Sequence, residues 1–303
     1  MKLLKRLSFL LLLSLAVGAF WGYKQGYTLQ DVEDYISDFF TNEDADQLEG
    51  EHEKPENDSA TPPGGKGETA SLPKKKVPEL QPLPPNPFAR IDKYARSSTA
   101  ANEKNVQTLA DYLEKGAQND MEKTRAIYVW LTKNISYDWE EYTSGLIGSY
   151  SAEEILGRRK AVCGGFASLF LALGEAMGLE VQKVVGYAKG FGYSQGDKFH
   201  DTNHAWNIAK IDGEWKIFDA TWGEGYAEVI NGKTVTTKEF EDYWFDVPPY
   251  EAIFSRLPKK RNLSFVEPLL SLSGFEKLPY VEKTYFKIGF DGKEAFNAVR
   301  SND

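Results

Sequence analysis

The stretch Asn203-His204-Ala205-Trp206-Asn207-Ile208-Ala209-Lys210-Ile211-Asp212-Gly213-Glu214-Trp215-Lys216-Ile217-Phe218-Asp219-Ala220-Thr221-Trp222-Gly223 decides the fold. Asp212-Gly213 is a strong two-residue hairpin signal between two runs of strand-forming residues. With that turn, Ile211 pairs with Glu214, and strands are predicted over His204–Ile211 and Glu214–Ala220. His204 then faces Thr221 and Trp206 faces Asp219. His204 and Asp219 become diagonal neighbours on one face, about 7–8 Å apart at the backbone, a gap that an imidazole and a carboxylate can close. A turn of odd length, or a bulge, would put them on opposite faces.

Upstream the period is helical. Val106, Leu109, Tyr112 and Leu113 form one apolar face, which Gly116 ends. Asp120 is placed to cap a helix carrying Ile127, Trp130 and Leu131. Ser151 with Glu154 forms a capping box. A long helix begins at Cys163, with Phe166, Phe170, Leu173 and Met177 on one stripe and Gly178 as its stop. Val181–Ala188 then reads as a strand. Helices first and antiparallel strands after is the α+β pattern.

Cys163, the one cysteine of the chain, stands where that helix starts. Unpaired N–H groups and the helix dipole favour a thiolate there. Gly164 and Gly165 would let a substrate backbone come close. A cysteine alone is usually an inert buried hydrophobe. A nearby imidazole changes that, by holding the thiolate and carrying its proton, and a carboxylate fixes the imidazole's tautomer. Cys163, His204 and Asp219 supply nucleophile, acid/base and orienter for acyl transfer through a thioester. Water as acceptor gives proteolysis or deamidation; an amine gives transpeptidation or crosslinking.

The Cys-Gly-Gly-Phe-Ala helix start at 163–167, the His-Ala-Trp-Asn strand at 204–207 and Asp-Ala-Thr-Trp-Gly at 219–223 resemble, in order, the motifs of the transglutaminase-like superfamily of papain-like cysteine enzymes. Ile127-Tyr128-Val129-Trp130 and Asn134-Ile135-Ser136-Tyr137-Asp138 look similar too. Downstream, Asp242-Tyr243-Trp244-Phe245 and the segment from Pro248-Pro249 to Pro258 are similar to the kyphoscoliosis-peptidase branch. That branch often ends this segment His-x-Pro, where this chain has Arg256-Leu257-Pro258. The resemblance covers roughly residues 100–260, and three ordered motifs are far more specific than one. It implies a catalytic helix packed on an antiparallel sheet. The family includes crosslinking enzymes, peptidases, amidases and inactive modules, so a non-catalytic surface binding module is the alternative to an enzyme. It also implies an oxyanion hole built from the Cys163 N–H and an upstream aromatic donor, with Trp130, Trp139 and Tyr137 as candidates.

Composition sets the wider frame. The chain has 303 residues, 41% hydrophobic, with 36 Lys and Arg against 45 Asp and Glu, a net charge of −9. The acidic balance argues against nucleic-acid binding. A single cysteine excludes an intrachain disulfide framework and a Cys-rich zinc site, and His200 with His204 lacks further ligand spacing, so no metal or cofactor is expected. Lys2, Lys5 and Arg6 followed by an apolar run from Leu7 to Trp21 form an export signal, cleaved after Ala19 or kept as an anchor. Cleavage would remove three cations and take the charge from −9 to −12. Residues 1–27 are thus signal or anchor, and 28–87 an acidic then Pro-rich tether including Lys74-Lys75-Lys76. One domain follows over 88–303, outside the cytoplasm, with protein or peptide substrate as partner. Gly186 to Gly196 reads either as a cleft-lining segment or as a connector. Arg158, Arg159 and Lys160 read as a solvated face, and Trp206 and Trp222 as packing around the site. Residues 261–303 read as folded, with no role assigned.

Overall fold

In the computed structural model, which describes residues 86–230 and 233–301, helices precede the sheet. The signal segment and the tether expected over 1–87 lie outside the described residues, apart from Asn86 and Pro87. Among the described residues no helix is long and apolar enough to cross a membrane.

Helices α1 (Ala89–Ala95), α2 (Val106–Gly116) and α3 (Asp120–Asn134) come first. Asn105 caps α2 in a reciprocal capping box with Thr108. Asn119, not Asp120, caps α3, because its side chain accepts the Glu122 N–H while Asp120 already lies inside the helix. Arg125 on α3 is fully buried, gripping Asp92 of α1 with both Nε and Nη2 at 2.6 and 2.8 Å. Next come β1 (Ser136–Tyr137), α4 (Trp139–Ser144), α5 (Ala152–Arg158), β2 (Lys160–Ala161) and α6 (Cys163–Ala176). The capping box of Ser151 and Glu154 opens α5, and β1 pairs in parallel with β2 immediately ahead of Cys163.

The sheet then forms from β3 (Val181–Ala188), β4 (His204–Ile211) and β5 (Glu214–Phe218). Asp212 and Gly213 both take positive φ, 52° and 86°. Two such residues give the type I′ turn whose twist matches a hairpin. Pairing runs from Ile211–Glu214 to Asn207–Phe218 in the register the turn dictates. It stops there. Asp219 leaves the strand as the N-cap of α7 (Ala220–Glu224), its carboxylate accepting the Trp222 N–H at 3.0 Å. The predicted strand extension to Ala220, and the Trp206–Asp219 and His204–Thr221 pairings, are therefore corrected: a capping aspartate turns the chain into a helix.

A ribbon of β6 (Gly225–Ile230) and β7 (Lys233–Lys238) follows. Then come a 3₁₀ turn at Asp242–Trp244, β8 (Phe245–Val247), α8 (Pro249–Ala252) and β9 (Arg256–Pro258). The five-stranded antiparallel sheet has the order β8-β5-β4-β3-β9. Phe166, Phe170, Leu173 and Met177 of the α6 stripe are all buried in the core shared by the helices and the sheet. Phe170 stacks on Phe218 of β5. After a second 3₁₀ turn (Arg261–Ser264), helices α9 (Leu272–Lys277), α10 (Lys283–Lys287) and α11 (Gly292–Ser301) close the domain. Their Phe275, Phe286 and Phe296 bury against Ile253, Phe254 and Leu257 as a separate apolar cluster. The fold is α+β, with the cysteine helix laid on an antiparallel sheet.

Candidate active site

Three elements meet at Cys163. It is the first residue of α6, which starts after Val162 with no side chain capping its N–H groups. β4 lies alongside: Asn207, fully buried, donates from Nδ2 to the Ala167 carbonyl of α6 at 3.0 Å. This bond pins the histidine strand to the cysteine helix. Asn207→Ala should cost about 1–2 kcal/mol of stability, read as a lower denaturant midpoint at unchanged slope. An unchanged midpoint would show that the pin is dispensable.

The cysteine is partly exposed. Its sulfur meets the His204 ring and the Ala205 N–H. Burial pushes the thiol up, but the His204 hydrogen bond and charge and the Ala205 N–H outweigh it, and the net shift is downward. His204 Nε2 lies 2.7 Å from Asp219 Oδ2, so the other ring nitrogen is left for the sulfur. Burial pulls the imidazole down. The Asp219 charge and hydrogen bond, with Cys163, overcome that and hold it at about 9. Asp219 is fully buried. Burial pushes its carboxyl up, but His204, Arg256 and the Trp222 N–H bring it to about 2. The structure thus brings Cys163, His204 and Asp219 together, the sulfur facing the ring and the ring bonded to the carboxylate. Because the cysteine sits on a helix start, the histidine on a strand start and the aspartate on a helix cap, the row is held from both layers.

Arg256, which the sequence reading did not include, is a fourth member. It is buried, and Nη1 donates to the same Asp219 Oδ2 that faces His204. Its guanidinium lies over Trp222 and Trp244, 4.3 and 4.6 Å from their ring centroids. Trp222 in turn stacks on His204 at 5.1 Å. A cation inside the apolar run Ile253-Phe254-Ser255-Arg256-Leu257-Pro258 was the signal available in the sequence.

His204 lies on the wall of a cleft of about 790 Å³. Tyr137, Trp139, Phe191, Trp222 and Tyr280 line it. The Gly186–Gly196 segment therefore does line the cleft, through Ala188, Gly190 and Phe191, and the C-terminal region contributes Tyr280 and Lys283. Trp130 is a core residue instead, its indole N–H bonded to Ser98 and Glu103. Gly165 has an internal reason to be glycine: a Cβ there would meet Ala161 at 2.6 Å, whereas Gly164 has room for one. Arg158, Arg159 and Lys160 form a partly exposed face in which each also pairs with an acid, Asp138, Glu103 and Asp138 at 3.4, 2.8 and 3.2 Å.

The sequence model of the transglutaminase-like superfamily matches residues 107–220. Kyphoscoliosis peptidase of Homo sapiens is 31% identical over 203 residues, 67% of this chain and 30% of that protein. Hillarin of Drosophila melanogaster is 27% identical over 236 residues, 72% of this chain and 28% of its own length. A crystal structure of a TGase shares 20% identity over 41% of this chain and 34% of that one, with a TM-score of 0.30. The chain spans about a third of the length of the curated relatives it matches. It belongs to the transglutaminase-like superfamily and is similar to the kyphoscoliosis-peptidase branch of that family.

Proposed function

We propose that this chain is an exported, cysteine-dependent acyl-transfer enzyme acting on protein or peptide substrates. Cys163, His204 and Asp219 are its catalytic triad. The observation that carries this reading is the His204 ring set between the Cys163 sulfur and the Asp219 carboxylate, on the wall of a cleft large enough for an extended chain segment.

The steps follow from the geometry. The Cys163 thiolate attacks the carbonyl carbon of an amide. The oxygen becomes an anion near the start of α6, and the Cys163 N–H donates to it. The His204 imidazolium gives its proton to the departing amine as the tetrahedral adduct collapses to a thioester. Neutral His204 then takes a proton from the acceptor, water or a primary amine, which attacks the thioester and releases the thiol. Asp219 holds the ring in register and stabilises its cation. The Lys2, Lys5, Arg6 and Leu7–Trp21 pattern supports export, and with it a substrate at the cell surface.

The test is incubation with a glutamine-containing peptide and a primary amine, followed by mass spectrometry. A peptide joined to the amine identifies crosslinking. Gain of one mass unit at glutamine, or chain cleavage, identifies hydrolysis. Either product should vanish with Cys163→Ala. A cysteine that titrates as an ordinary thiol near 8.5, with no acyl-enzyme formed, would mark the domain as a binding module instead.

A further inference from the structure

We propose that Arg256 is a positioning residue of this site: it neutralises Asp219, so that the carboxylate orients His204 without trapping the ring as a permanent cation. The proposal rests on the acyl-transfer reading above.

The geometry carries it. Asp219 Oδ2 accepts from two sides, His204 Nε2 and Arg256 Nη1, while Oδ1 accepts from the Trp222 N–H. The carboxylate is therefore held by three donors on three segments. Arg256 reaches it from β9, whose Arg256 pairs with Ala188 of β3 and whose Pro258 pairs with Gly186. β9 can approach that closely because Gly186 has no side chain: a Cβ there would meet the Leu257 carbonyl at 2.3 Å and the Trp206 ring at 2.6 Å. The guanidinium is sealed by tryptophan rings, yet its Nη2 has no hydrogen-bond partner among the described residues. An arginine retained only for packing gains little from a buried, unpaired N–H. This one sets its charge on the oxygen that His204 also uses.

The electrostatic consequence has a definite sign. A thiolate, an imidazolium and a carboxylate alone carry a net charge of −1 in a buried site. Arg256 brings the sum to zero. Removing a buried cation raises the pKa of every neighbouring group, so both limbs of the thiolate–imidazolium pair should move to higher pH. The proton on His204 would then be held too tightly for the leaving amine to take it. Among the described residues, the groups that also act on the row include Lys183 of β3 and the phenols of Tyr128, Tyr137, Tyr243 and Tyr280. Burial pushes all four phenols up, which keeps them neutral across the working range. Lys183 is exposed, bonded to the Gly164 carbonyl and Ser168 Oγ at 2.8 and 2.9 Å.

The experiment is the pH dependence of Cys163 alkylation by iodoacetamide in the intact chain and four variants. Arg256→Met should shift both limbs up by about one unit or more, a tenfold rate change on each limb. Arg256→Lys should leave them within about half a unit. Asp219→Asn, which strands the cation, should shift both limbs down. Asp219→Asn with Arg256→Met removes both charges and should bring them back near the wild-type positions. If Arg256→Met does not fold, the comparison of Asp219→Asn with the double variant decides. Identical limbs in those two, or unmoved limbs in a folded Arg256→Met, overturn the proposal. A wild-type profile with a single ordinary thiol limb would instead overturn the acyl-transfer reading itself.

Discussion

His204→Ala slows capture of Cys163 by iodoacetamide at pH 6 at least about tenfold, while at pH 9.5 the two proteins react at similar rates. Without the imidazole the sulfur loses its counter-charge, and burial and the Asp219 charge push the thiol up against the Ala205 N–H. A thiol of pKa about 8.5 is roughly 0.3% ionised at pH 6, against near-complete ionisation for a thiolate–imidazolium pair. The resulting roughly 300-fold deficit is partly offset because a low-pKa thiolate is a weaker nucleophile. At pH 9.5 both thiols are ionised and the difference closes. Turnover falls further, by about 10²- to 10⁴-fold, because the same ring delivers the proton to the leaving amine. Parallel rate curves for wild type and variant, displaced by a constant factor at every pH, would show that His204 acts on access to the sulfur and not on its ionisation.

The expectation for His204 and Asp219 was read from two residues, Asp212 and Gly213. Their turn fixes register by local chemistry, and five residue pairs follow it from Ile211–Glu214 to Asn207–Phe218. The reading fails at Asp219 for an equally local reason: an aspartate that accepts an N–H three residues on is a helix cap, and alternation cannot continue through it. The helix from Cys163 was legible because its apolar stripe has one period throughout. Arg256 was not. It is 37 residues beyond Asp219, and only the pairing of β9 with β3 brings them together. The cleft wall was half legible. Aromatic residues of 186–196 suggested it, but Tyr280 and Lys283 reach it through the packing of Phe275 and Phe286 on Phe254 and Leu257, which no short pattern encodes. Gly165 shows the reverse error: a glycine read as room for substrate is required by Ala161 behind it.

Asp219→Ala should destabilise the domain by about 3–5 kcal/mol, because it leaves the Arg256 guanidinium buried with no anion. For a domain of this size that lowers Tm by roughly 6–20 °C. The loss has a pH signature. The His204 ring is held at about 9, above its ordinary 6.5. Its pairing therefore adds stability that is fully present below pH 6.5 and is lost as pH rises through 9. Asp219 is held at about 2, below its ordinary 3.8. Its pairing adds stability present above pH 3.8 that is lost as pH falls through 2. In Asp219→Ala the carboxylate's contribution vanishes and the ring keeps only what Cys163 provides, so the stability gap to wild type should be widest between about pH 4 and 6.5 and narrow on either side. Adding Arg256→Met to Asp219→Ala should recover much of the loss, since deleting both members of a buried pair costs far less than deleting one. The two residues touch, so the double variant must differ from the sum of the single ones. Additive losses, together with a gap that is flat in pH, would mean that packing around Trp222 and Trp244, and not the buried charges, holds this corner of the site.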